Sequence, residues 1–150
     1  ETVLLTVAAA AFIGTRRAKV VAAVALVLFF AVWVLQATTD GFFSYLNYAD
    51  VAECIIISAL YAWVLYRFFV QHTHNWWTTP EIVLCLGLLL YFACSVPYMA
   101  MMRHLQENNP DLNHYLFDYI SNVLASIRYL LTATAFWLAG RTGTALIPAR

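Results

Sequence analysis

Apolar positions along this chain fall into five long blocks, and the polar positions gather between them. The blocks predict helices over about 1–14, 19–36, 49–70, 81–104 and 111–139. The last four approach or exceed the roughly 20 apolar residues that a helix needs to cross a hydrocarbon core of about 30 Å. The first is only about 20 Å long as a helix, so we read it as part of a span, with the chain beginning inside it. Connections carry helix-boundary chemistry. Gly14 closes the first block, Thr78-Thr79-Pro80-Glu81 opens the fourth with Thr79 as N-cap, and Asn109-Pro110-Asp111 opens the fifth in the same way. No repeat and no low-complexity linker divides the chain, which predicts a single transmembrane helical domain, an all-α polytopic bundle.

Composition sharpens this. Of 150 residues, 63% are hydrophobic and 11% charged, with a mean hydropathy of +0.74. A soluble domain carries about 25% charged residues, so lipid is the natural solvent for most of this surface. The net charge is zero, which gives no electrostatic footprint for nucleic acid. Cys54, Cys85 and Cys94 all lie within apolar blocks and read as small buried hydrophobes. Basic residues set the orientation. Arg16, Arg17 and Lys19 fall between the first two blocks, Arg67 edges the next cytoplasmic connection beside His72 and His74, and Arg141 and Arg150 follow the last block. The second connection holds Asp40, Asp50 and Glu53, and the fourth holds Arg103 with Glu107, Asp111 and Asp118. The C-terminus is therefore expected in the cytoplasm, with Trp76 and Trp77 at the inner interface.

One charge breaks the pattern. Arg128 lies in "SNVLASIRYLLTATAFW", halfway along the fifth block and roughly 15 Å deep. An arginine there costs about 2.5–3.5 kcal/mol on insertion scales. Ser121, Ala125, Arg128, Thr132, Ala135 and Ala139 recur at helical spacing. Small and polar faces pack against other helices in lipid, so Arg128 is expected to point into the bundle. Side chains lean toward the helix N-terminus, which directs it outward, toward Glu53 first and then Asp50 and Asp118. It is either a structural strut paired to a carboxylate or carbonyls, or a binder of an anionic ligand or headgroup through a switchable ion pair. In the fourth block Tyr91, Cys94, Ser95, Tyr98 and Met102 share a face around Pro97, which is expected to kink the helix. That face reads either as core or as pocket lining. Together these give an outward-facing candidate site at Arg128, Glu53, Asp118, Asn122, Tyr98 and Tyr91.

Other chemistry finds little support. His72, His74, His104 and His114 fall in or beside connections, none at mid-span, where a bis-histidine haem would need them. Lys19, the only lysine, is at a helix edge, so a retinal Schiff base is not expected. No phosphate loop, zinc spacing or nucleophile elbow is present. A non-enzymatic protein without cofactor or metal is the expectation.

The runs "PEIVLCLGLLLYFACSVPYMAMM" and "NPDLNHYLFDYISNVLASIRYLLTATAFWL" resemble the last two spans of small bacterial seven-span membrane proteins. The matching positions are Gly87 to Phe92, Pro110 to Asn113, and Trp137-Leu138 before Arg141, and "DVAECIIISALYAWVLYRFF" looks like the fifth span of that pattern. The resemblance implies that the visible helices are spans three to seven of a multi-pass inner-membrane protein. Such proteins are often encoded beside sensor histidine kinases, which implies a sensor kinase or another membrane protein as partner. The leading expectation is a sensory or signalling accessory that binds a small amphiphile, membrane lipid or partner helix near Arg128. A structural subunit of a larger complex, and a small channel or carrier formed as an oligomer, are the alternatives.

Overall fold

The computed structural model describes residues 1–40, 47–71 and 79–142. Its elements are five helices: α1 (Thr2–Ile13), α2 (Arg16–Asp40), α3 (Asn47–Gln71), α4 (Pro80–Asn108) and α5 (Pro110–Thr142). The chain is an all-α bundle, and α2 to α5 are each long and apolar enough to cross a membrane. At 12 residues, α1 spans about 18 Å, short of the hydrocarbon core.

Local chemistry explains the boundaries. Gly14 adopts a left-handed conformation (φ 68°) and its N–H donates to the Ala10 carbonyl, closing α1. The Thr15 hydroxyl then accepts from the Ala18 N–H at 3.2 Å and opens α2. Arg16 and Arg17 start α2 and Lys19 lies in its first turn, not in a free connection as the sequence pattern implied. Pro80 begins α4 behind Thr79, whose side chain makes no capping bond. Asn109 closes α4, and its side-chain oxygen accepts the Leu112 N–H at 3.3 Å to open α5. Between α2 and α3, the buried Gln36 side chain accepts the Ala49 N–H at 2.9 Å. It satisfies a helix-terminal donor that lipid could not.

Helix α4 is central, packed along α3 and along α5, while α1 packs on α2 and α3. The core lies between the facing stripes of α3 (Cys54, Ile57, Tyr61, Val64) and α4 (Ile82, Cys85, Leu88, Phe92), with Ala9 and Ile13 of α1 against it. Tyr61 donates to the Leu5 carbonyl at 3.2 Å, fixing α1 against α3. Helices α4 and α5 form an antiparallel hairpin about Asn109. At 29 and 33 residues they measure about 43 and 50 Å, more than the core thickness even at a tilt of about 40°. The hairpin therefore extends beyond the hydrocarbon, and its turn carries the polar residues His104, Glu107, Asp111 and His114.

The face expected of α5 is the one it turns inward. Ser121, Ala125, Arg128, Thr132, Ala135 and Ala139 are all half-buried or buried, while Asn122, Tyr129 and Phe136 beside them are exposed. On α4, Ser95, Tyr98 and Met102 are buried and Tyr91 is half-buried, but Cys94 is exposed. The helical stripe runs through Ser95 and turns Cys94 away from the core, so only Cys54 and Cys85 are the buried hydrophobes that composition implied. Helix α4 is continuous through Pro97. The positions of His72, His74, Trp76, Trp77 and Arg150 lie outside the described residues.

Close approach of α4 to α5 depends on Gly87. A Cβ there would lie 2.9 Å from the Leu131 Cβ, which is not the mobile end of a side chain. Gly87→Ala is expected to destabilise the bundle by about 1–3 kcal/mol through overpacking. Gly140→Ala, where an added Cβ meets nothing within 4 Å, should be neutral or slightly stabilising. Unfolding of the two variants side by side in detergent measures the difference.

Candidate functional site

Arg128 is placed by the α4–α5 packing that puts its turn of α5 against Tyr91. Its side chain is 18% exposed, and its Nη1 donates to the Glu1 Oε1 at 2.6 Å. The guanidinium carbon lies 4.6 Å from the Tyr91 ring centroid and 5.4 Å from that of Tyr129. One carboxylate and two aromatic faces thus replace the hydration of the cation, the arrangement that makes a charge tolerable away from water.

The partner differs from the carboxylates favoured by the sequence. Glu53 is on α3 and its side chain is hydrogen-bonded to Thr2. Asp50 is in the first turn of the same helix. The acid that reaches Arg128 is Glu1, while Glu53, held by Thr2, lies within electrostatic range of Glu1 at the start of α1. Asp118 is ten residues back along α5, about 15 Å away, and pairs with His114 at 3.4 Å in an exposed turn. Glu1 meets Arg128 because α1 and α5 run in parallel on either side of the bundle's open face. It is the only acidic residue before Asp40, a signal that could have singled it out.

The remaining candidates are dispersed. Tyr98 is buried on α4, with its hydroxyl 3.5 Å from the Asn113 Oδ1 and its ring 6.1 Å from Phe117. Asn113 is also buried; it is the buried polar partner on α5 that sequence reasoning missed. The Ser95 hydroxyl donates to the Tyr91 carbonyl at 2.7 Å. These groups are paired inside the hairpin, as core. Asn122 faces away from the bundle on a shallow groove formed by α5 alone, with Tyr115, Asp118, Tyr119 and Ser126. The structure therefore brings Arg128 and Tyr91 together, sets Glu53 beside the start of α1 without pairing it to Arg128, and leaves Tyr98, Asp118 and Asn122 elsewhere. Among the described residues, no group of three histidine, cysteine or acidic side chains is placed to hold a metal ion.

Arg128 does line a cavity. A cleft of about 430 Å³ separates α1 from α5, and the two helices have no extensive packing between them. Leu5, Ala8 and Phe12 form one wall, Arg128, Tyr129, Thr132 and Phe136 the other, and Tyr61, Leu84 and Leu88 the floor. The ion pair bridges one end, and the rest is apolar apart from Thr132, the Tyr129 phenol and the Tyr61 hydroxyl, which is held by Leu5. Glu1, Tyr129 and Phe136 are exposed at its rim, so it opens sideways between the helices.

A double-mutant cycle on Arg128→Gln and Glu1→Gln is expected to give a stabilising coupling of about 1 kcal/mol, reduced from that of a fully buried pair because Glu1 is 51% exposed. The corresponding cycle with Glu53→Gln should give a weaker coupling than the Glu1 cycle, since Glu53 reaches Arg128 only by way of Glu1's surroundings. Unfolding free energies of the single and double variants decide both. Comparison of the chain with protein-family models, with curated proteins and with solved structures finds no match, so the site is defined by its own geometry.

Proposed function

We propose that this is a non-enzymatic, multi-pass inner-membrane protein that binds an amphiphile from the bilayer in the α1–α5 cleft, as a sensory or signalling accessory. The observation that carries this reading is the position of Arg128 at the closed end of an apolar, laterally open cleft. A cavity of this size falls within the range of small-molecule sites, which are mostly apolar with few polar groups that fix orientation. Arg128 is the orienting group, and its ion pair with Glu1 is the element a ligand can change. α1 meets α5 chiefly through that pair, so an anion that takes Glu1's place on Arg128 alters how α1 is held. A ligand shifts such an equilibrium only by its difference in affinity for the two arrangements, and competition for one guanidinium supplies that difference. The resemblance to seven-span proteins encoded beside sensor kinases supports a kinase or another membrane protein as the receiver of the change.

Native mass spectrometry of the full chain released from membranes tests the reading. The wild-type protein is expected to retain amphiphile adducts, and Arg128→Gln, checked for helical content, to lose them. Adduct-free spectra for both would remove the proposal and leave Arg128–Glu1 as a structural tie.

A further inference from the structure

We infer that the cleft selects a single-chain, singly charged carboxylate amphiphile with an acyl chain of medium length. The inference rests on the proposed amphiphile reading and narrows it to one ligand class.

Charge fixes the headgroup. The cleft offers one cation, Arg128, which balances one negative charge. Glu1 already shows which anion fits, since its carboxylate contacts the guanidinium at 2.6 Å. The Tyr91 and Tyr129 rings lie 4.6 and 5.4 Å from the guanidinium carbon, so the cation is already positioned for a carboxylate and little ordering remains on binding. A dianionic phosphate monoester would leave one charge uncompensated beside Glu1. A cationic headgroup would face Arg128 directly.

Dimensions fix the chain. From Arg128 to Phe136 along α5 is about 12 Å. Extended chains advance about 3.3–3.6 Å per three bonds, so the cleft matches a tail of about 10 carbons. Volume gives a similar answer independently. At about 30 Å³ per water-sized group, the 430 Å³ of the cleft holds about 14 such groups. That is one medium chain; a second chain of a phospholipid would have to leave through the lateral opening. Ala8, on the α1 wall, leaves the space the tail would fill. The ligand carboxylate takes the place of half-exposed Glu1; an acid that enters neutral and passes its proton to Glu1 exchanges one Arg128–carboxylate pair for another and leaves no unpaired charge.

The test uses the full chain in phosphatidylcholine nanodiscs and dodecanoate bearing a terminal diazirine. Photolabelling is expected on cleft residues of α1, α4 and α5. Dodecanoate should compete about 10- to 100-fold better than dodecyltrimethylammonium, the scale of one charge-assisted hydrogen bond, and better than octadecanoate. Ala8→Phe, which keeps the polar groups intact, should block labelling by filling the cleft. Glu1→Gln should strengthen labelling, because it removes the internal competitor; a merely structural ion pair would predict weakening. Equal competition by the ammonium or the longer acid, or no gain in Glu1→Gln, overturns the inference. Labelling of the cleft only by a diacyl phosphatidylglycerol probe also overturns it while the broader amphiphile reading stands. No labelling by any probe overturns both.

Discussion

A guanidinium on a helix apolar enough to cross a membrane must be held by protein, because lipid supplies neither hydrogen-bond acceptors nor counter-charge. Here a single contact, Arg128 to Glu1, meets that demand together with the faces of Tyr91 and Tyr129. Much of the arrangement around the open face follows from it. α5 has to turn its small, polar stripe inward, α4 has to present an aromatic ring at the level of Arg128, and α1 has to run parallel to α5 with its acidic end alongside. The cleft between α1 and α5 is the space left when two helices are joined at one end and packed mainly on other neighbours.

The same absence of water accounts for the polar details elsewhere. Gln36 satisfies the first turn of α3, the Ser95 hydroxyl donates to a carbonyl one turn back, and Tyr61 spends its hydroxyl on α1. Each settles a backbone or side-chain group that would otherwise face hydrocarbon. Arg141 lies 4.0 Å from the Trp137 ring centroid at the end of α5, where a cation and an indole are suited to an interface. The bundle thus divides into a tightly paired α3–α4–α5 unit and the more loosely attached α1 and α2, and the candidate ligand site lies at the seam between them.

How much of this was legible depends on whether a property is local or relational. The five helices and the inward face of α5 follow from periodicity, since 3.6 residues per turn decides which side chains share a stripe. Thr15 as a cap was available in the sequence but easily passed over beside the basic cluster that follows it. Cys94 was misplaced because five residues were assigned to a stripe only wide enough for four. The error over Glu53 is of another kind. Its depth and charge were suitable, and nothing in the sequence shows that α1 brings Glu1 to Arg128 while Glu53 is held by Thr2.

By itself the sequence determined that the chain is helical and apolar enough to span a membrane, that one arginine must be buried among helices, and which face of α5 carries it. Those are consequences of transfer energies and helical pitch, which act on each segment separately. Only the tertiary structure decided that Glu1 is the partner, that Tyr91 and Tyr129 flank the charge, and that an apolar cleft opens beside it. Such facts depend on which helices are neighbours and at what register, and in a bilayer that is set by the sum of packing contacts across the bundle and by no single segment.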